Sequence, residues 1–230
     1  MSDRTATLIG ATGLIGNYLL QQLIQDENFE TIRLLVRRPF KNEHSKLEVK
    51  LIDFSDHESF KLGIDGSGVV FCAVGTTQKK VKGDKEVYRK IDHDIPVNAA
   101  RFCKETGCNN FSFVSSVGAD AKSKNFYLQL KGEVEDEIKK MHIKIVSAFR
   151  PSILLGDRKE SRPAERIGQI TMQTFSFVFI NNLRKYKPIH AKEVGAAMIY
   201  AAKQQKPGFS IYEYDEIKNN SNNEGFAIKA

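Results

Sequence analysis

Short apolar runs alternate with longer segments of helical periodicity along the first two thirds of the chain. Each run has the length of a strand and is rich in β-branched or other apolar residues. The predicted strands cover residues 5–9, 31–36, 47–52, 69–74, 110–115 and 144–149. Apolar residues at helical spacing predict helices over 14–25 and 84–105. Strands that alternate with helices predict an α/β fold, with a doubly wound parallel sheet covered on both faces.

The pattern changes after residue 149. A loop rich in charge and proline is predicted at 150–163, a helical or mixed segment at 167–180, a helix at 190–204 and a strand at 210–214. About 80 residues are too few for a second large core. We therefore expect one domain over 1–230, with a small C-terminal cap within 150–210. The Asn-rich run 219–224, inside a polar segment 218–230, predicts a mobile tail.

Composition describes a globular chain with one substantial core. Of its 230 residues, 41% are hydrophobic and 27% are charged, which argues against disorder and collagen. The net charge of +7 is compatible with nucleic acid, an anionic membrane or a phosphorylated small molecule as partner. The basic run that includes Lys79, Lys80 and Lys82 lacks interleaved aromatic residues, which favours a solvated loop over nucleic-acid binding. No apolar stretch approaches the roughly 20 residues that span a bilayer.

The cysteines and histidines show no metal-ligand spacing. Cys72, Cys103 and Cys108 form no paired motif, and Cys72 lies inside an apolar run that is typical of a buried thiol. We expect no metal site, and a reducing, cytoplasmic compartment.

Three glycines follow the first predicted strand and open the first predicted helix. Gly10 permits a tight turn, Gly13 lets the backbone approach a pyrophosphate, and Gly16 lets helix and strand pack closely. The helix N-terminus offers unpaired N–H groups to phosphate. A purely structural turn is the alternative. The candidate phosphate-binding residues are Gly10, Thr12, Gly13, Leu14, Ile15 and Gly16.

The end of the second strand predicts the choice of cofactor. A carboxylate there would accept the ribose 2′-hydroxyl of NAD, but this chain has Arg37 and Arg38, which suit a 2′-phosphate. NADP(H) is therefore preferred over NAD(H), although two solvated arginines are the plain alternative. Asp53 and Phe54 are candidates to lie beside the adenine, unless Asp53 is a helix N-cap. Gly75 and Thr76, after the fourth strand, are candidate cofactor contacts or an ordinary turn.

A tyrosine and a lysine four residues apart suggest proton-transfer chemistry. On a helix, Tyr127 and Lys131 share one face, about 5–6 Å apart at Cβ. A nearby cation lowers the pKa of a phenol from about 10 toward the working range. Ser115 and Ser116 end the fifth predicted strand, where ligands of open α/β sheets bind. We assign Ser116 to polarising a substrate oxygen and Ser115 to support, with backbone-bonded hydroxyls as the alternative for at least one of them.

These motifs occur in an order that resembles the short-chain dehydrogenase/reductases of the atypical or extended type. More narrowly, the chain is similar to the oxidoreductase family that includes the human Tat-interacting protein. That likeness is carried by three stretches and covers roughly residues 5–215; the stretches are 128–135, 150–155 and 157–163. The resemblance implies a Rossmann-like fold and bound NADPH. Many members of the wider family also use a helix-borne Asn, for which Asn98 is the only nearby candidate.

The sequence therefore predicts an NADPH-dependent oxidoreductase that acts on a small carbonyl compound or alcohol. Ser116, Tyr127 and Lys131 are the candidate catalytic residues, and Ser115, Tyr127 and Lys131 also join the cofactor contacts. Two alternatives stay open: a nucleotide-binding regulatory module with a protein partner, and an epimerase or dehydratase acting on a nucleotide sugar. Arg158, Glu160 and Arg162 are candidate substrate contacts or solvated charges. A homodimer is compatible with the sequence.

Overall fold

The computed structural model describes residues 4–41, 44–77, 81–156 and 181–225. The strands are β1 (Thr5–Ile9), β2 (Thr31–Val36), β3 (Leu47–Leu51), β4 (Val69–Cys72), β5 (Asn110–Val114), β6 (Ile145–Phe149), β7 (Leu154–Leu155), β8 (Ile189–His190) and β9 (Gly208–Tyr212). The helices are α1 (Leu14–Gln25), α2 (His57–Ile64), α3 (Lys85–Arg89), α4 (Ile95–Glu105), α5 (Phe126–Lys140), α6 (Ala191–Gln204) and α7 (Tyr214–Asn223).

Seven strands form one sheet in the order β3-β2-β1-β4-β5-β6-β9. Every neighbouring pair is parallel, and the register places Leu8 of β1 between Leu34 of β2 and Phe71 of β4. The strand order reverses between β1 and β4, and ligands of such sheets bind beyond the carboxyl ends of the strands at that point. This is the predicted Rossmann-like, doubly wound parallel sheet.

Two apolar layers cover the sheet. On one face, α1 and α6 bury residues such as Leu19, Leu23 and Val194 against β1 and β2. On the other face, α2, α4 and α5 bury residues such as Phe60 and Ile138. Because both faces are covered, the central strands are apolar on both sides, which explains their unbroken apolar runs in the sequence.

The predicted helix over 84–105 contains a change of helical geometry. A π-helical turn, Lys90–Asp94, joins α3 to α4, with Pro96 in the first turn of α4. Since proline lacks an N–H, it is tolerated where a new helical segment begins.

The predicted cap is described only at its two ends. β7 and β8 form a short parallel pair, and a 3₁₀ helix, Asn181–Tyr186, precedes β8. The intervening residues 157–180, with Arg158, Glu160 and Arg162, lie outside the described residues, as do Lys79 and Lys80.

The expectation of a mobile tail over 219–224 is wrong. These residues belong largely to α7, in which Ile217 and Ser221 are fully buried. Lys203 of α6 holds Glu224, just beyond α7, in an ion pair, and Lys218 pairs with the buried Glu193. A few apolar residues at helical spacing are sufficient to fold α7 as a packed helix, because α6 supplies the rest of the apolar surface.

The three cysteines are buried free thiols, as expected for Cys72. Burial raises the pKa of the Cys72 thiol to about 11. Among the described residues, no group of His, Cys, Asp or Glu has the arrangement of a metal site, and no helix has the length and apolar character to cross a membrane.

Candidate cofactor and active site

The glycine-rich turn after β1 is pressed against the chain that follows β4. Gly10 has a φ of +93°, and a Cβ atom there would lie 2.7 Å from the carbonyl carbon and oxygen of Ala73. A Cβ atom at Gly16 would lie 2.1 Å from the Gly10 carbonyl oxygen. Both distances are shorter than any van der Waals contact, so this turn and the first turn of α1 require glycine at both positions.

The N-terminus of α1 is suited to phosphate. Gly13 is the N-cap, and a Cβ atom there would be crowded at 3.2 Å from the Gly10 carbonyl oxygen. Since glycine has no side chain, nothing of Gly13 covers the helix N-terminus. Within the described part of the chain, no side chain caps α1, and its first turn contains no acidic residue. Thr12 is exposed, Leu14 is half-buried and Ile15 is buried. The backbone N–H groups of the first turn of α1 are available as donors to an anion. The partial positive charge of the helix end favours an anion here, and the residues fit a dinucleotide pyrophosphate.

Arg37 and Arg38 lie side by side, exposed, directly beyond the carboxyl end of β2. Because β2 lies next to β1 in the sheet, the two arginines come at the end of the strand that neighbours the one leading into the glycine turn. A guanidinium binds phosphate oxygens in a bidentate manner. No acidic residue follows β2 directly, in contrast to the usual NAD-binding arrangement.

Asp53 is exposed, and its carboxylate accepts hydrogen bonds from the Ser55 backbone N–H (2.9 Å) and hydroxyl (2.7 Å), which lower the pKa of Asp53. The N-cap of α2 is Asp56 instead, so the N-cap alternative for Asp53 is wrong. Phe54 is half-buried and packs edge-on against Phe60, with ring centroids 4.8 Å apart. Beyond the end of β3, the chain therefore presents one exposed polar side chain, Asp53, and one packed apolar side chain, Phe54.

The two serines at the end of β5 have different surroundings. The Ser115 hydroxyl is buried and donates to the Glu135 carboxylate of α5. Glu135 also accepts from Nε of Arg150 (2.9 Å) and from Nη2 of the same guanidinium. Among the described residues, the Ser116 hydroxyl has one long contact, 3.4 Å, with the adjacent Val117 carbonyl oxygen. The hydroxyl that is less engaged by the protein is that of Ser116.

Tyr127 and Lys131 lie one turn apart near the N-terminus of α5. Asn125 caps this helix by accepting hydrogen bonds from the backbone N–H groups of Tyr127 (3.0 Å) and Leu128 (3.2 Å). The Lys131 ammonium lies 6.0 Å from the centre of the half-buried Tyr127 ring. The structure thus places the phenol and the ammonium on one face of a helix, as the spacing predicts.

Asp92, which the sequence reasoning missed, is the partner of Lys131. Its carboxylate Oδ1 lies 3.2 Å from Lys131 Nζ, and the two side chains are only 1% and 4% exposed. Burial lowers the pKa of Lys131, but Asp92, followed by Tyr127 and Cys72, outweighs burial, so the pKa of Lys131 is raised. The Asn98 side-chain oxygen instead accepts from Arg101 (2.8 Å). Asp92 sits beside His93 and Asp94 in a charged run, so no local signal marks it.

A second missed residue is Gly132, next to Lys131 on α5. A Cβ atom there would lie 2.1 Å from the Ala121 nitrogen and 2.2 Å from the Asp120 carbonyl carbon. The loop that follows Ser116 therefore lies directly on α5. Asp120 N–H donates to the Leu128 carbonyl oxygen (3.1 Å) and fixes the same contact. This close approach ties the Ser116 loop to the helix that carries Tyr127 and Lys131.

Comparison with known proteins shows the family and the fold of the chain. Residues 10–160 match the NAD(P)H-binding family. The chain is 35% identical to Protein HTATIP2 of Rattus norvegicus over 168 residues, which cover 72% of this chain and 69% of that protein. It is 36% identical to the mitochondrial Protein FMP52 of Candida albicans over 203 residues, or 84% of this chain and 85% of the relative. UDP-N-acetylglucosamine 4-epimerase from Methanobrevibacter ruminantium has the same fold, with a TM-score of 0.67 at 17% identity, over 93% of this chain and 77% of that one.

Proposed function

The chain belongs to the NAD(P)H-binding family, and on that premise we propose that it is an NADPH-dependent oxidoreductase. The proposed reaction interconverts a small carbonyl compound and its alcohol. Bound NADPH supplies the hydride for the carbonyl carbon. One observation supports the proposal most directly: a buried ammonium, Lys131, lies one helical turn from a phenol, Tyr127, beside the carboxyl edge of the sheet.

The residues of the chain account for the proton. In the reducing direction, the Tyr127 hydroxyl gives its proton to the substrate oxygen as the carbon receives hydride, and in the oxidising direction the phenolate takes the proton back. The Lys131 charge stabilises that phenolate and holds the nicotinamide ribose. Ser116 donates a hydrogen bond to the same substrate oxygen, because Ser115 already donates to Glu135.

We propose NADPH rather than NADH because Arg37 and Arg38 stand where a carboxylate would receive the ribose hydroxyl of NAD. Two guanidinium groups complement the two negative charges of a 2′-phosphate. The predicted cytoplasmic compartment, protein partner and homodimer stay predictions.

The proposal is tested by replacing the hydroxyl of Tyr127. Tyr127→Phe keeps the ring, so its Kd for NADPH, measured by fluorescence titration, stays within about twofold of wild type. Reduction of a panel of aldehydes and ketones falls at least about a hundredfold, the scale of a lost general acid. Tyr200→Phe, on α6, removes a hydroxyl from the chain without touching this site and keeps full activity.

Two results would contradict this assignment. Turnover that persists unchanged in Tyr127→Phe would show that another group handles the proton. A wild-type protein that binds NADPH and reduces no member of the panel would favour the regulatory module, in which the dinucleotide stabilises a docking surface.

A further inference from the structure

Asp92 is a buried carboxylate that the proposed reaction does not itself require. It lies in the π-helical turn Lys90–Asp94, between α3 and α4, and only 1% of it is exposed. A carboxylate so deeply buried is costly unless it is paired and hydrogen-bonded. π-helical turns inside α-helices occur frequently at functional sites. The free-energy cost of burying Asp92 and the π-helical geometry around it both indicate a functional role for this carboxylate.

The two oxygens of Asp92 hold two different elements of the candidate site. Oδ1 is 3.2 Å from Lys131 Nζ on α5, and Oδ2 accepts a 2.7 Å hydrogen bond from the Thr76 backbone N–H. Thr76 belongs to the segment that leaves the carboxyl end of β4, against which the glycine turn packs at Ala73. One carboxylate thus joins the ammonium at the proposed active site to the loop at the proposed cofactor site.

We propose that Asp92 is a positioning residue that fixes the Lys131 ammonium for catalysis and the Gly75–Thr76 segment for NADPH as one unit. This inference rests on the proposed function, which assigns Lys131 to the ribose and to Tyr127. The ionisable groups that act on Lys131 are Asp92, Tyr127 and Cys72. Among the three, Asp92 acts most strongly and its Oδ1 lies 3.2 Å from Lys131 Nζ, so it is the group that holds Lys131 charged in a buried site.

The first test is direct and needs no turnover. In protein labelled with ¹³C at the lysine side chains, Lys131 is assigned by comparison with Lys131→Met and titrated by NMR. In the wild type, we expect Lys131 to titrate above the ordinary lysine value of 10.5. In Asp92→Asn it titrates below that value. Asp94→Asn is the matched control, because its carboxylate is in the same turn but faces His93, and it leaves Lys131 unchanged.

The second test is a double-mutant cycle on NADPH binding. Asp92→Asn raises the Kd about tenfold, and Asp92→Glu, which keeps the charge, recovers part of the loss. In a Lys131→Met background, Asp92→Asn weakens binding no further, because the ammonium is gone and the carboxamide oxygen can still accept the hydrogen bond from the Thr76 N–H. A purely structural Asp92 would instead give losses that add.

Each outcome decides the inference separately from the proposed function. A wild-type Lys131 that titrates at or below the ordinary value, or additive losses in the cycle, overturns the role of Asp92 even where carbonyl reduction is found. Conversely, an inactive protein that shows the lysine shift and the non-additive cycle retains the role of Asp92 in NADPH binding, while the proposed reaction fails.

If Asp92→Asn does not fold, the double variant Asp92→Asn/Lys131→Met, which buries no unpaired charge, is compared with Lys131→Met alone. A weaker Kd in the double variant then overturns the inference, and an equal Kd supports it.

Discussion

The Ser115 hydroxyl donates its hydrogen bond to Glu135, a carboxylate one turn beyond Lys131 on α5. Glu135 is itself held by the Arg150 guanidinium at the end of β6, so the bond joins two strand ends to a helix. A hydrogen bond from a buried hydroxyl to a charged, paired acceptor is strong and stabilises the fold. Its neighbour Ser116 has only a 3.4 Å contact with the Val117 carbonyl oxygen among the described residues, which supports its proposed role toward a substrate.

This difference predicts that two neighbouring substitutions affect different properties, one the stability of the fold and the other the rate of reaction. Ser115→Ala lowers the free energy of unfolding by about 1.5–3 kcal/mol, because a hydrogen bond to a buried charge is lost. Ser116→Ala changes stability by less than about 0.5 kcal/mol but lowers kcat for carbonyl reduction. Urea denaturation and steady-state kinetics on both variants measure the two effects. Equal stability losses would contradict the division of roles.

Gly16→Ala is expected to destabilise the fold strongly. The added methyl group would overlap the Gly10 carbonyl oxygen, and relieving the overlap requires α1 to move off β1. Overpacking of this kind costs about 1–3 kcal/mol or more. Gly75→Ala is the control, since its Cβ would meet its nearest neighbour, Asp92 Oδ1, at an ordinary 3.8 Å. Thermal unfolding should therefore separate the two variants, and equal melting temperatures would show that the turn can relax.

Replacing Arg37 and Arg38 together by Ala should weaken NADPH much more than NADH. Each charge-assisted contact with the 2′-phosphate accounts for about 1.5–3 kcal/mol, and NADH lacks that phosphate. Isothermal titration with each cofactor gives the ratio. The exposed pair Lys139 and Lys140, at the other end of α5, serves as a control for the loss of two positive charges. Equal losses for both cofactors would refute the preference.

The acid limb of stability should depend on Asp26. Burial raises the pKa of this carboxyl, but hydrogen bonds from Asn28 and Lys203 outweigh burial and place it below the ordinary 3.8. The unfolded state therefore binds more protons, so Asp26 stabilises the fold above pH 3.8, and this contribution is lost as the pH falls through the lower folded value. In Asp26→Asn, the unfolding free energy should fall less steeply with acid. Asp136→Asn, at an exposed position of α5, is the control for the loss of one carboxylate.

The helix α7 gives a prediction that separates a packed element from a loose tail. Ile217 is fully buried in the layer formed with α1 and α6, so Ile217→Ala should lower the unfolding free energy by about 2–5 kcal/mol. Asn219→Ala, at an exposed position of the same helix, should change it by less than about 0.5 kcal/mol. If both variants matched the wild type by chemical denaturation, α7 would contribute nothing to the fold.

Local patterns were sufficient to predict the fold class. The run Thr5–Ile9, the glycines from Gly10 to Gly16 and the helix Leu14–Gln25 all lie within one stretch of chain, so strand, turn and helix are encoded together. The same holds for Tyr127 and Lys131, which share a helical face because of their spacing alone. Strand ends shifted by one or two residues, since the last residues of a strand leave the ladder without a change in apolar character.

Only the tertiary structure decided the partners of the buried charges and the fate of the C-terminal segment. Asp92 meets Lys131 across 39 positions of sequence, and Ser115 meets Glu135 across 20 positions. Which carboxylate becomes buried depends on how α4, α5 and β5 pack. A charged run such as 90–94 contains no local pattern that predicts it. The segment 214–223 was polar by composition, yet α6 supplies the apolar surface and the Lys203 ion pair that fold it. Sequence thus determined the elements with local causes, while contacts between distant elements determined which polar groups are buried, because burial is a property of packing and not of the residue type.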